Sequence, residues 1–255
     1  MGLGLETWVT RCLMVGVRIS MLMVFAPFFG SGAMPARVKV GLTMALTALL
    51  APVVASTLRA PSPLEVGRMV AGEMLVGLLL GLTLQFVFDG AQLAGQVVGF
   101  QLGYSLVNLI DPQTEVETPV LSIFYQAVTL LMFLQLEVHH WLLRGLAKSF
   151  LYLPPGSIVA SLAATTELWK AAGGMLLVAM QMAAPALVAT MLADVTLGYL
   201  GKASPQLPVL FLGLSVKSLL GFAVLAGAVL YWPRVMEKQF LVAVAGAERM
   251  LHLAH

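Results

Sequence analysis

From Met69 to Ile110 the chain runs for about forty residues without a proline, and its only charges there are Glu73 and Asp89. At 1.5 Å per residue a single helix of that length would measure roughly 60 Å, about twice a bilayer's hydrocarbon core. Either the segment turns near Asp89-Gly90, or it bends and projects beyond the membrane. The expectation is a break or hairpin inside it. In its second half Ala91, Gly95, Gly99 and Gly103 fall every fourth residue. Residues at that spacing share one helix face, and small ones let a neighbouring backbone come very close. The striped helix is therefore built to sit against protein, not only against lipid.

The segment runs into a polar stretch, Asp111-Pro-Gln-Thr-Glu-Val-Glu-Thr-Pro119, which leads directly into another apolar run. Lipid cannot satisfy a loop's backbone groups, so Asp111, Glu115 and Glu117 need water or polar protein. Asp111-Pro112 keeps the preceding helix from continuing, because a residue before proline disfavours the helical region. Close packing beside an enclosed polar loop suggests a pore lining or a plug. The spacing alone does not choose between them.

Of the 255 residues, 60% are hydrophobic and only 10% charged. A soluble domain carries about a quarter charged residues. Too few are present to cover a water-facing surface, so the solvent is a bilayer or other apolar protein. A net charge of +2 without a basic cluster gives no reason to expect nucleic acid. The one cysteine, Cys12, lies in an apolar run and reads as a small buried hydrophobe. The first ten residues hold Glu6 but no Lys or Arg, so the first apolar segment reads as retained rather than as a cleaved signal. The four histidines lack zinc-ligand spacing, and no nucleophile elbow, phosphate loop or His-Glu-x-x-His motif occurs. Neither a metal, a cofactor nor an enzymatic activity is expected.

Helix-length apolar runs alternate with linkers rich in Gly, Pro and Ser. The runs are Cys12 to Phe29, Val40 to Leu58, Met69 to Ile110, Thr118 to Leu136, Ala171 to Ala193 and Val209 to Trp232. Pro185 is the one kink candidate in the fifth, and no β-alternation of useful length appears. The fold class is all-α, an integral membrane protein. Arg37 and Lys39 nevertheless lie in one linker, Arg59 and Arg68 in the next, and Arg144, Lys148 and Lys202 in later ones. Simple spans would alternate their basic loops. Helical hairpins that enter a protein assembly would remove the conflict.

Arg18, Glu73, Asp89, Glu137, Arg144, Asp194 and Lys217 lie inside or at the edges of apolar segments. Ionisable groups in such places mark buried pairs, relays or ion paths. Pairing across helices or against a partner, a proton path, and snorkelling ends are all open readings, and Lys217 is a candidate partner of Asp194. A transporter would add a broken helix with clustered polar ligands, and Pro185 with Asp194 is the nearest approach. His139 and His140, beside Trp141, read as interfacial anchors. The fifteen methionines read as adaptable core fillers.

The order of motifs resembles the FliR family of flagellar type III export-gate proteins. Arg18, Ala-Pro-Phe-Phe at 26–29, and Met-Pro-Ala-Arg-Val-Lys-Val-Gly-Leu at 34–42 match its start. Gly72-Glu73, Gly77, Gly81, Gly99-Phe-Gln-Leu-Gly103, Asp111-Pro112, Pro119-Val-Leu and His139-His140 follow in order. Pro154-Pro-Gly156, Pro185 and Ser204-Pro-Gln-Leu207 complete the set. The resemblance implies a subunit of the export channel's entry in the bacterial inner membrane, at the flagellar basal body. It implies partners of FliP, FliQ and FlhB type, and unfolded flagellar proteins as substrates. It also implies a FliP-like part over 1–161 fused to a FliQ-like hairpin over 162–255. The plug would be Leu106, Val107, Asn108, Leu109, Ile110, Asp111, Pro112, Gln113, Thr114, Glu115, Val116 and Glu117. The equivalent subunit of a virulence injectisome is the runner-up, and an ion-coupled secondary transporter is the alternative from another class.

Overall fold

A computed structural model describes residues 2–30, 34–54, 63–104, 120–156, 162–204, 206 and 209–253. It contains α1 (Gly2–Phe25), α2 (Ala36–Leu50), α3 (Pro63–Gln101) and α4 (Val120–Gln135). These are followed by α5 (Val138–Tyr152), α6 (Leu162–Ala203), α7 (Val209–Ala228) and α8 (Trp232–Leu253). No strand occurs among the described residues. The protein is all-α. Among the described residues three helices are long and apolar enough to cross a membrane, over Glu6–Phe25, Leu64–Gln101 and Thr166–Ala203. Two further pairs, α4 with α5 and α7 with α8, pass the same test when each is taken as one broken span.

Of the two alternatives for this stretch, the turn near Asp89-Gly90 does not occur. α3 runs through it for 39 residues. A glycine inside a helix costs about 1 kcal/mol relative to alanine. Here that cost is offset by packing, because Gly90 lies where a β-carbon would stand 2.6 Å from the Met175 carbonyl oxygen. α3 stops instead at Gly103, whose φ of 85° is left-handed. The Tyr104 N–H donates to the Gly99 carbonyl and the Gly103 N–H to the Phe100 carbonyl, each at 3.0 Å. That pair of bonds is the Schellman ending, which glycine accepts without a β-carbon penalty. Pro185, in contrast, lies inside α6 without ending it.

The chain folds as two compact units, neither continuous in sequence. The first comprises Met1–Val87, Leu134–Gly173 and Phe240–His255. Its core is built from one face of α1 (Met14, Val15, Ile19, Leu22) with Val76, Leu80 and Leu84 of α3 and Leu142 and Leu146 of α5. α1 and α3 approach at Gly77 and Gly81, one helical turn apart. A β-carbon on Gly77 would stand 2.4 Å from the Arg18 carbonyl oxygen, and one on Gly81 2.9 Å from Phe25 Cβ. α2 packs on α1 and buries none of its own residues.

The second unit comprises Phe88–Phe133 and Gly174–Gln239. The narrow second half of α3, with Ala91, Ala94 and Val98 buried, lies among α4 and α6. Phe88 meets Phe133 edge-on at 5.6 Å, and Tyr125 of α4 meets Trp232 of α8 at 4.5 Å between ring centres.

Candidate functional site

Within the first unit, the two charges that interrupt the apolar faces of α1 and α3 meet. Arg18 and Glu73 are both fully buried, and Arg18 donates from Nε to Glu73 Oε2 at 2.6 Å. Its Nη1 donates to Ser149 Oγ and its Nη2 to the Leu153 carbonyl, each at 3.0 Å. The guanidinium lies 4.3 Å from the centre of the Phe150 ring. Glu73 uses its second oxygen, Oε1, to accept the Gly156 N–H at 3.0 Å. The Ser149 hydroxyl in turn donates to the Leu146 carbonyl at 2.6 Å. A buried ion pair recovers its desolvation cost only when further hydrogen bonds satisfy both partners. This one has them, drawn from α5 and the turn that follows it.

That turn explains why the bonds are needed. Leu153-Pro-Pro-Gly156 has only two backbone donors, since proline has no N–H. Leu153 gives its N–H to the Ser149 carbonyl at 2.9 Å. Gly156 has φ of 86° and lies against Met69, where a β-carbon would stand 2.4 Å from Cε. Its N–H is the one that Glu73 receives. Ser149 was not singled out from the sequence. Its signal was position: a serine on the buried stripe Val138, Leu142, Leu146, Ser149, Phe150 of α5.

The second unit has its own polar cluster. Lys217 of α7 contacts both carboxylate oxygens of Asp194 on α6, at 2.8 and 2.9 Å. Gln101, in the last turn of α3, donates to Asp194 Oδ2 at 3.0 Å. The Lys217 side chain is 18% exposed and the Asp194 side chain 46%. The next residues of α3 are held as well: Ser218 Oγ reaches the Leu102 carbonyl at 3.4 Å, and Leu102 fills the space beside Gly221. Gln101 was also missed. It is a polar residue two positions before the last glycine of the small-residue stripe.

The stripe itself divides. Ala91 and Gly99 are buried. Gly95 meets the α4 backbone, where a β-carbon would stand 2.6 Å from Ser122 Cα and 2.7 Å from the Leu121 carbonyl oxygen. Gly103 leaves the helix face, because it is the left-handed residue of the Schellman ending; its glycine serves the turn. Asp89 is half-buried on α3. The rings of His139 and His140 lie 4.2 Å apart, and His140 Nδ1 is 3.5 Å from Glu137. Among the described residues no three His, Cys, Asp or Glu side chains are grouped to hold a metal. The plug residues 106–117 lie outside the described residues, so the structure places only the helix end before them and α4 after them.

Residues 9–242 match the family described as bacterial export proteins, family 1. The chain is also 33% identical over 220 residues to the flagellar biosynthetic protein FliR of Bacillus subtilis, covering 84% of this chain and 83% of that one. The chain belongs to the FliR family of flagellar export proteins. The FliR of Escherichia coli is 28% identical over 86% of this chain and 84% of its own. That of Caulobacter vibrioides is 25% identical over 84% and 86%. Family membership and the long apolar helices together make this chain a membrane-embedded component of the flagellar export apparatus.

Proposed function

We propose that this chain is a core subunit of the flagellar export gate, lining and plugging the channel through which unfolded flagellar proteins leave the cell. It sits in the bacterial inner membrane with FliP- and FliQ-type subunits and a FlhB-type protein. Residues 1–161 act as the FliP-like part and 162–255 as the FliQ-like hairpin. It performs no chemistry of its own; its work is to shape and close a passage.

The observation that carries this reading is how the small-residue helix ends. α3 packs through Gly95, is stopped by the left-handed Gly103, and is tied down by Ser218 at Leu102. The segment 105–119, which carries Asp111, Glu115 and Glu117, follows in the sequence. A firmly held helix end beside a polar segment suits a plug that moves while its flanking helices stay fixed. Deleting Gln113 to Glu117 tests it. The complex should still assemble with FliP- and FliQ-type partners but leak ions across the membrane, measured as loss of membrane potential. An assembled deletion complex that stays tight to ions refutes the plug.

A further inference from the structure

Two charges inside the apolar helices of the second unit converge on the end of a third helix. Between Ala171 and Gly201 the one charge of α6 is Asp194, and Lys217 is the one charge of α7. An ionisable group in an apolar span is costly and commonly functional. We infer that Asp194 and Lys217 are positioning residues for the passage: they dock the α6–α7 hairpin on residues 101–104 and so hold the end of α3. The inference rests on the channel-plugging reading and deepens it, by naming what keeps that helix end fixed.

Each contact falls on the helix ending itself. Gln101 donates to Asp194 Oδ2 at 3.0 Å, and Lys217 contacts both oxygens of the same carboxylate. A helix leaves its last carbonyls without an intrahelical donor, and lipid offers none. The Leu102 carbonyl is one of these, and Ser218 Oγ reaches it at 3.4 Å. The buried Leu102 side chain occupies the space where a β-carbon on Gly221 would stand. Tyr104 meets the Phe222 ring edge-on, at 5.9 Å between centres. Lys217, Ser218, Gly221 and Phe222 share one side of α7, because residues four apart stack on a helix. That side grips the Schellman turn of α3, and Asp194 ties the grip to α6. Gln101 is the arm through which the ion pair acts on α3.

Replacing both members of an ion pair with apolar residues leaves neither charge alone, and folds often tolerate it. Asp194→Leu/Lys217→Met, made in the full chain and co-expressed with FliP- and FliQ-type partners, should therefore assemble. Its Gly103 and Tyr104 amides, which close the α3 ending, should exchange with deuterium about tenfold faster or more, the effect of removing a hydrogen bond to a charged acceptor. Its membrane should leak ions, read as loss of membrane potential. Asp194→Asn/Lys217→Met keeps a neutral acceptor for Gln101, and should recover slow exchange and a tight membrane. Gln101→Leu leaves the ion pair whole and decides the matter should the first variant fail to assemble. Its amides should be fast and its membrane leaky as well. The inference is overturned if the two amides in either of these Leu variants exchange as slowly as in the unaltered chain, or if the Asn variant rescues neither readout. It is equally overturned if fast exchange leaves the membrane tight while the Gln113 to Glu117 deletion leaks. Membranes that stay tight in both cases count against the plugging reading itself, and the inference falls with it.

Discussion

Replacing Gly77 with alanine adds one methyl group where α3 lies against the α1 backbone. The new carbon would stand 2.4 Å from the Arg18 carbonyl oxygen and 2.8 Å from Met21 Cβ. A carbon approaches a carbonyl oxygen to roughly 3.3 Å at closest comfort, so the helices must part by about 0.9 Å. The obstacle is a hydrogen-bonded backbone carbonyl, not the end of a flexible side chain. Glu73 lies one turn earlier on the same face of α3, so the displacement also pulls on its 2.6 Å bond to Arg18. Overpacking of this kind costs about 1–3 kcal/mol. Alanine's better helix propensity returns about 1 kcal/mol. The difference is a net loss of up to about 2 kcal/mol, which should lower the unfolding temperature of the purified complex by as much as roughly 4–8 °C. Gly67→Ala is the matched control on the same helix. A β-carbon there meets nothing within 4 Å, so only the propensity gain remains and the midpoint should stay level or rise. A Gly77→Ala complex that melts as high as the Gly67→Ala complex, with motility intact, would refute the close approach of α1 and α3.

Two further outcomes follow from the second unit. Gly103→Ala places a β-carbon at φ of 85° and should destabilise by about 1–2 kcal/mol, the left-handed penalty of an L-residue. Gly103→Asn should lose less, since asparagine tolerates that region; equal losses, compared by thermal unfolding, would argue against the Schellman ending. At the Lys217–Asp194 pair, Asp194→Leu should cost more stability than Lys217→Met. The lysine is the more buried partner and would be left uncompensated, whereas Asp194 is half-exposed and keeps Gln101 as a donor. The reverse order in unfolding measurements would refute that reading of the cluster.

Much of this protein was legible in its sequence. Scarce charge and long apolar runs dictate helices in an apolar environment, because each helix satisfies its backbone within itself. The same scarcity picks out Arg18, Glu73, Asp194 and Lys217 as residues that require partners. Sequence names the need but not the match. Arg18 and Glu73 are 55 positions apart, and their remaining bonds come from Ser149, Leu153 and Gly156. Only packing brings those positions together. Glycine shows the same limit. Its missing side chain can end a helix, admit a neighbouring backbone or do nothing, and the residue is identical in each case. Tertiary structure decided that Gly90 continues α3 against Met175, that Gly77 and Gly95 admit α1 and α4, and that Gly103 ends the helix. The intrinsic cost of glycine in a helix, about 1 kcal/mol, does not distinguish those roles. Contacts made by distant parts of the chain are large enough to choose among them, and local sequence is not.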